Sequence, residues 1–175
     1  FEKEHLDLGF QFGTFGERFE RLEEALQIIV PMLRGERPTL EGKYYSATDV
    51  ANSPAPISRI PVMIGGQGEK KTLRMVAQYA DACNLFLFGG SDVIKHKLKV
   101  LQEHCDRLGR DFNEIEKTVL GGVDLSKQSP SEVIDQCGEL AELGIEHYIF
   151  SMPDAHEITP LETMATEIIP QVEEF

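Results

Sequence analysis

Three glycines stand within four residues in the stretch Ile64-Gly65-Gly66-Gln67-Gly68. They fall between the apolar run PVMI and a helix-forming run, EKKTLRMVAQYA. Backbone N–H groups at a helix start lack intrahelical acceptors and carry partial positive charge. Glycine lets an anion approach them closely, because no Cβ stands in the way. The chemistry on offer is therefore phosphate binding. It is not a Walker A loop, since no Gly-Lys-Ser/Thr follows. Nor is it a dinucleotide fingerprint, because Lys71 occupies the place of the third glycine. A tight strand-to-helix turn needing positive φ explains the same glycines without a ligand. The spacing leaves both readings open. Glu69, Lys70 and Lys71 decide nothing between them, since such charges usually sit in water.

The elements around this turn follow from periodicity. GERFERLEEALQIIVPMLRG reads as a helix with Phe19, Leu22, Leu26, Ile29 and Leu33 on one face, and Pro31 as a breaker near its end. Residues 36–60 read as an irregular excursion. From Pro61 the pattern alternates. PVMI, ACNLFLF, KTVLGGVDL and HYIFSMP read as strands, each followed by a helix. Ser91 is the expected N-cap of the second of these helices and Gly109 its stop. Capping boxes are expected at Ser129-Pro130-Glu132 and Thr159-Pro160-Glu162, and Gly144 ends the helix that the first of these opens. Four strand–helix units imply a parallel sheet with right-handed crossovers. An open doubly wound sheet and part of a (β/α)8 barrel both satisfy that pattern.

Composition narrows the function classes. The 175 residues hold 17 Lys and Arg against 30 Asp and Glu, a formal charge of −13. That argues against nucleic acid as a partner, which needs clustered cations. No long apolar run suggests a membrane span or leader. Cys83, Cys105 and Cys137 lie far apart, without CxxC spacing or a histidine partner at metal spacing, so the expectation is buried reduced thiols, no metal site and a cytoplasmic protein.

Four pieces of the chain carry a resemblance: ERFERLEEALQII, GKYY, IPVMIGGQGEKKTLRMVAQYADACNLF and HKLKVLQEHCDRLGRDFNEIEKTVL. They resemble the luciferase-like monooxygenase superfamily, and within it the F420-dependent oxidoreductases. The IGGQGEKKTLR…AQYADACN run is the most specific of them, and the region after Gly121 matches more loosely. The resemblance implies an α/β fold of the (β/α)8 TIM-barrel type, with residues 1–175 as a single partial domain holding strands five to eight. FEKEH would then follow a fourth strand. It implies coenzyme F420, with FMN as the alternative, held at its phosphate and ribityl chain by Ile64, Gly65, Gly66, Gln67 and Gly68, mainly through backbone donors. Asn84 would line the pocket. Phe86 is expected to pack in the core and Asp81 to order a helix–strand turn. Glu2 and Glu4 read as solvated carboxylates at a helix start. His5 is the histidine nearest the expected site, while His96, His104, His147 and His156 read as surface or satisfied positions. No catalytic acid or base is assigned. The implied reaction is hydride transfer between the deazaflavin and a small organic substrate. The rival readings are an FMN-dependent monooxygenase and a non-catalytic half barrel. Four strands cannot close a barrel, so a homo-oligomer or completion by further chain is expected.

Overall fold

The computed structural model describes residues 1–175. It comprises two compact units, Phe1–Val62 and Met63–Phe175.

In the first unit, α1 (Glu2–Asp7) is exposed along its whole length. Helix α2 (Phe15–Leu33) opens on a capping box that periodicity alone does not reveal. The Thr14 Oγ1 accepts from the Glu17 N–H at 3.2 Å, and the Glu17 carboxylate accepts from the Thr14 N–H at 2.7 Å. Leu26 and Val30, four residues apart, are its buried pair. The expected face is too wide: Leu22 and Ile29 are 39% and 47% exposed. Pro31 does not stop the helix, which runs on to Leu33. So close to the end, the missing Pro31 N–H removes one bond and leaves few turns to disturb.

Residues 36–60 are not wholly irregular. Strand β1 (Leu40–Glu41) pairs antiparallel with β2 (Ser46–Ala47), with Leu40 opposite Ala47. The Glu24 carboxylate on α2 accepts from the N–H groups of Lys43, Tyr44 and Tyr45 at 2.8 to 2.9 Å. A Cβ on Gly42 would stand 2.5 Å from Glu24 Oε2, so the close approach requires glycine there. Periodicity could not reveal a ladder this short, because its tip is held by a carboxylate about twenty residues upstream.

The second unit has the expected alternation: β3 (Met63–Gly65), α3 (Thr72–Tyr79), β4 (Ala82–Phe86), α4 (Ser91–Leu108), β5 (Glu116–Gly122), α5 (Pro130–Glu142), β6 (His147–Ser151), α6 (Ile158–Thr163) and α7 (Ile169–Val172). The strands form one parallel sheet in the order β3-β4-β5-β6. The sheet is open, so the fold is α/β without a closed barrel. Leu73 and Val76 of α3, Ile94 and Leu101 of α4, and Leu85 and Val119 of the strands are fully buried. Val133, Cys137, Met164 and Ile168 form a further cluster.

Two expected caps differ. Gly90, at φ +80°, precedes α4, and Ser91 is its first helical residue. The Ser91 hydroxyl instead donates to Glu139 Oε2 at 3.0 Å. Helix α6 is preceded by Glu157 and has no side-chain cap. It begins early enough to place Thr159 and Pro160 inside its first turn, where a missing N–H costs nothing. The Ser129–Glu132 capping box is present, and Gly109 (φ +66°) and Gly144 (φ +85°) end their helices as expected. All three cysteines are free and buried. No helix is long and apolar enough to cross a membrane.

Candidate functional site at the strand C-termini

Parallel strands end on one edge of their sheet, where α/β folds hold their ligands. Here that edge carries Gly65, Phe86, Gly122 and Ser151.

The three glycines of the β3–α3 connection have three different reasons. Gly66 has φ +115°, which L side chains rarely adopt, and its N–H donates to the Asn84 carbonyl at 2.9 Å. A Cβ on Gly68 would stand 2.9 Å from Thr72 Oγ1, and Thr72 is buried. Both glycines are thus accounted for by the turn itself. Gly65 is not. It lies in extended strand, it is exposed, and a Cβ there would meet nothing within 4 Å. Neither packing nor backbone geometry asks for glycine at that position.

The helix does not start directly behind the glycines, as expected from the sequence. A turn at residues 69–71 intervenes, and α3 opens at Thr72 without a side-chain cap. The donors facing this connection are therefore those of the loop rather than of the helix end. The Gln67 and Gly68 amides find no acceptor within the chain. The Gln67 side-chain oxygen is buried and has no partner. Burying such a group unpaired is costly, so a donor is wanted there. The Ile64 side chain is 7% exposed and belongs to the core.

Asn84 is brought to the turn, opposite Gly65 in the ladder. The Thr118 hydroxyl lies 2.9 Å from the Cys83 carbonyl and 3.2 Å from Asn84 Oδ1. That fixes the amide and leaves the Asn84 nitrogen as a donor. Glu69, expected in water, is instead tied down. Its carboxylate accepts from Lys97 and from His96 Nε2 at 3.0 Å, and its carbonyl lies 2.8 Å from His104 Nε2. The Lys97 ammonium and then His96 hold its carboxyl below the usual range. The exit of the turn is thereby clamped to α4. Burial pushes the Cys83 thiol up to about 11.

Phe86 corrects the expectation of core packing. It is 36% exposed, while its neighbour Leu85 is 1% exposed, as strand alternation requires. Its ring stacks on that of Phe88, with centroids 5.9 Å apart and planes at 25°. The two rings border a cavity of about 420 Å³ at the ends of β4, β5 and β6. Gly121, Gln136 and Ser151 also line it. Sequence reasoning does not single these out. The signal for them is a second glycine pair, Gly121-Gly122, at a strand end. A larger cavity of about 520 Å³ lies beyond β5 and β6, beside Asp124, Asp154 and Glu157. It does not include the glycine connection. The Asp81 carbonyl, just ahead of β4, accepts from the Glu116 N–H at 2.9 Å and so extends the β4–β5 ladder by one bond. In the first unit, Glu2, Glu4 and His5 are exposed, and His5 Nδ1 lies 2.9 Å from the Phe1 carbonyl.

Comparison with known proteins agrees with this architecture. The model of the luciferase-like monooxygenase family matches residues 6–158. An F420-dependent glucose-6-phosphate dehydrogenase of Microbacterium testaceum is 39% identical over 74 residues, which is 42% of this chain and 22% of that protein. One from Segniliparus rotundus is 32% identical over 114 residues, 62% of this chain and 32% of that protein. The matched regions thus span about a third or less of those relatives. Among solved structures, the F420-dependent tetrahydromethanopterin reductase of Methanopyrus kandleri superposes with a TM-score of 0.70 at 16% identity, covering 88% of this chain and 63% of that one. An F420-dependent secondary alcohol dehydrogenase gives 0.76 at 15% identity, covering 93% and 64%. A riboflavin lyase with modified FMN gives 0.77 at 10% identity, covering 97% and 60%. At such identities the structures speak for the fold alone. The family match covers most of the chain, and the chain belongs to the luciferase-like monooxygenase family.

Proposed function

We propose that this chain is part of an F420-dependent oxidoreductase, and that the β3–α3 connection holds the phosphate end of the deazaflavin. The observation that carries this reading is Gly65. It is a glycine at a strand C-terminus that the fold does not require, with open space where its side chain would be. Beside it, the Gln67 and Gly68 amides and the Asn84 nitrogen supply donors suited to an anion and its sugar-like chain. The unpartnered Gln67 oxygen suits a ribityl hydroxyl. Ile64 and Gly66 contribute backbone shape, with the Gly66 N–H spent on Asn84.

F420, when bound, supplies or accepts the hydride. The chain's own part is to anchor the far end of that group, so that binding energy remote from the reaction fixes the position of the ring. The Glu69 clamp to α4 keeps the connection from drifting. We further propose that the four parallel strands correspond to strands five to eight of a (β/α)8 barrel. The outer strands β3 and β6 then need further strands beside them.

FMN is the second candidate for the same connection, since both cofactors carry a phosphate. The names of the curated relatives favour F420. The test is a fluorescence titration with F420 and with FMN, on the protein in the full length that its gene encodes. Saturable binding of F420 and none of FMN is expected. Gly65→Val should leave thermal stability unchanged and weaken F420 by roughly tenfold or more, because its methyl groups would fill the space left open there and hold the anion off the neighbouring amides, at about the cost of one charge-assisted hydrogen bond. Preference for FMN would move the protein to the flavin-dependent members of the family. Unchanged F420 affinity in Gly65→Val would return the connection to plain architecture.

A further inference from the structure

The cavity at the ends of β4, β5 and β6 differs in character from the cofactor connection. Of its lining residues, including Phe86, Phe88, Leu120, Gly121, Gln136 and Ser151, none carries a charge. Phe86 and Phe88 present stacked, exposed rings, 36% and 77% exposed, on the mouth side. Tyr148 adds no charge near neutral pH, since a phenol ordinarily titrates near 10.0 and burial pushes this one further up, to about 12. Its hydroxyl donates to Gln136 Oε1 at 3.1 Å, which fixes the orientation of that amide. The Gln136 nitrogen is left as a neutral donor. Gly121 is required beneath this pair: a Cβ there would stand 2.5 Å from the Tyr148 hydroxyl and 3.1 Å from Leu87 Cβ.

Resting on the oxidoreductase reading above, we infer that this cavity takes an uncharged aromatic or alicyclic substrate bearing one carbonyl or hydroxyl group, and not a sugar phosphate. A phosphate dianion brought against these rings would lose its water with no cation to replace it, which is strongly unfavourable. Sites for phosphorylated substrates place arginine or lysine at the anion, and this chain contributes neither to the lining of the cavity. Flat apolar rings instead match the faces of Phe86 and Phe88. The Gln136 nitrogen supplies the single directional contact that orients an oxygen. About 420 Å³ suits a small ring compound rather than a large conjugate. On this inference the lining that the chain contributes suits a different substrate class from that named for the glucose-6-phosphate enzymes it resembles in sequence.

Ligand-observed NMR on the full-length protein tests this, with benzyl alcohol, cyclohexanol and glucose 6-phosphate as probes and F420 affinity measured separately by fluorescence. Benzyl alcohol and cyclohexanol are expected to give saturable signals, and glucose 6-phosphate none. The Phe86→Ala, Phe88→Ala double variant should weaken benzyl alcohol by about fivefold or more, because both stacking faces are removed, while F420 affinity stays put. Both rings are exposed, so their removal leaves the core intact. Phe88→Lys should create weak glucose 6-phosphate binding. Saturable binding of glucose 6-phosphate by the unaltered protein would overturn the inference. So would absence of both neutral probes alongside intact F420 binding, which would leave the cofactor reading standing. Loss of F420 binding with the neutral probes still seated on the Phe pair would overturn the cofactor reading and keep the substrate class.

Discussion

The two units are stabilised internally in opposite ways. In Met63–Phe175, helices on a parallel sheet bury Leu73, Val76, Ile94, Leu101, Val119, Val133 and Ile168 completely. In Phe1–Val62, the buried hydrophobic side chains are Leu26, Val30 and Ala47, while Phe1, Phe10, Phe15 and Ile57 are strongly exposed. What orders that unit is polar. Glu24 gathers three amides, Arg37 makes a two-pronged contact with Asp49, and Glu20 accepts from both Lys43 and the Tyr44 hydroxyl. Apolar burial scales with area and gives cooperative stability. Exposed ion pairs give little. The second unit should therefore set global stability, and the first should be the more readily opened.

The strongest way to break that comparison is in the cores. Leu101→Ala, at a fully buried position, should cost about 3 kcal/mol in denaturant unfolding. Ile29→Ala, at a half-exposed one, should cost well under that, about 0.5 kcal/mol. Equal losses would mean that the polar unit has a hidden core. A sharper contrast uses one device present in both units. Ser129→Ala and Thr14→Ala each remove the hydroxyl of a capping box, worth about 1 kcal/mol. If the units open separately, calorimetry should show the first change in the higher transition and the second in the lower.

Acid should separate the units further. Burial alone would raise the Glu24 carboxyl, but the Tyr44, Tyr45 and Lys43 amides outweigh it and hold it below its ordinary 4.5. A carboxyl lowered by folding contributes stability above that ordinary value and loses it as pH falls through the lowered one. Amide exchange in the β1–β2 hairpin should thus speed up below about pH 4.5, relative to the sheet. Glu24→Gln should show the same loosening at neutral pH. The smallest effect belongs to base. Cys83 titrates near 11 in the fold against an ordinary 9.0. An unfolded thiol ionises first, so folding stability should decline slightly as pH rises past 9.0. At pH 8 the native Cys83 should resist an aromatic disulfide reagent and react once denatured.

Legibility in the sequence follows the same divide. The strand–helix alternation from Pro61 onward is readable, because each element there is fixed by local periodicity and by stops such as Gly109 and Gly144. The Ser129 box is readable for the same reason. The hairpin in residues 36–60 is not, since Glu24 and Lys43 lie far apart in the chain. At the site, the glycine connection stands out by residue type, whereas Asn84 enters only through the family resemblance. What spacing cannot supply is the division among the glycines. Gly66 and Gly68 serve the turn and Gly65 does not, and only backbone angles and the distance to Thr72 reveal it. Phe86 misleads for a related reason. A phenylalanine in an apolar strand reads as core until its position as the last residue, on the face opposite Leu85, is known.

The Glu24 carboxylate over the hairpin tip has the character of a tridentate chelate in which the protein is its own anion. Three donors converge on one group, so releasing the first bond gains little freedom while the other two still hold the tip. The tip should therefore let go as a unit. Lys43, Tyr44 and Tyr45 would then share one exchange rate, and three distinct rates would show that each amide is held on its own.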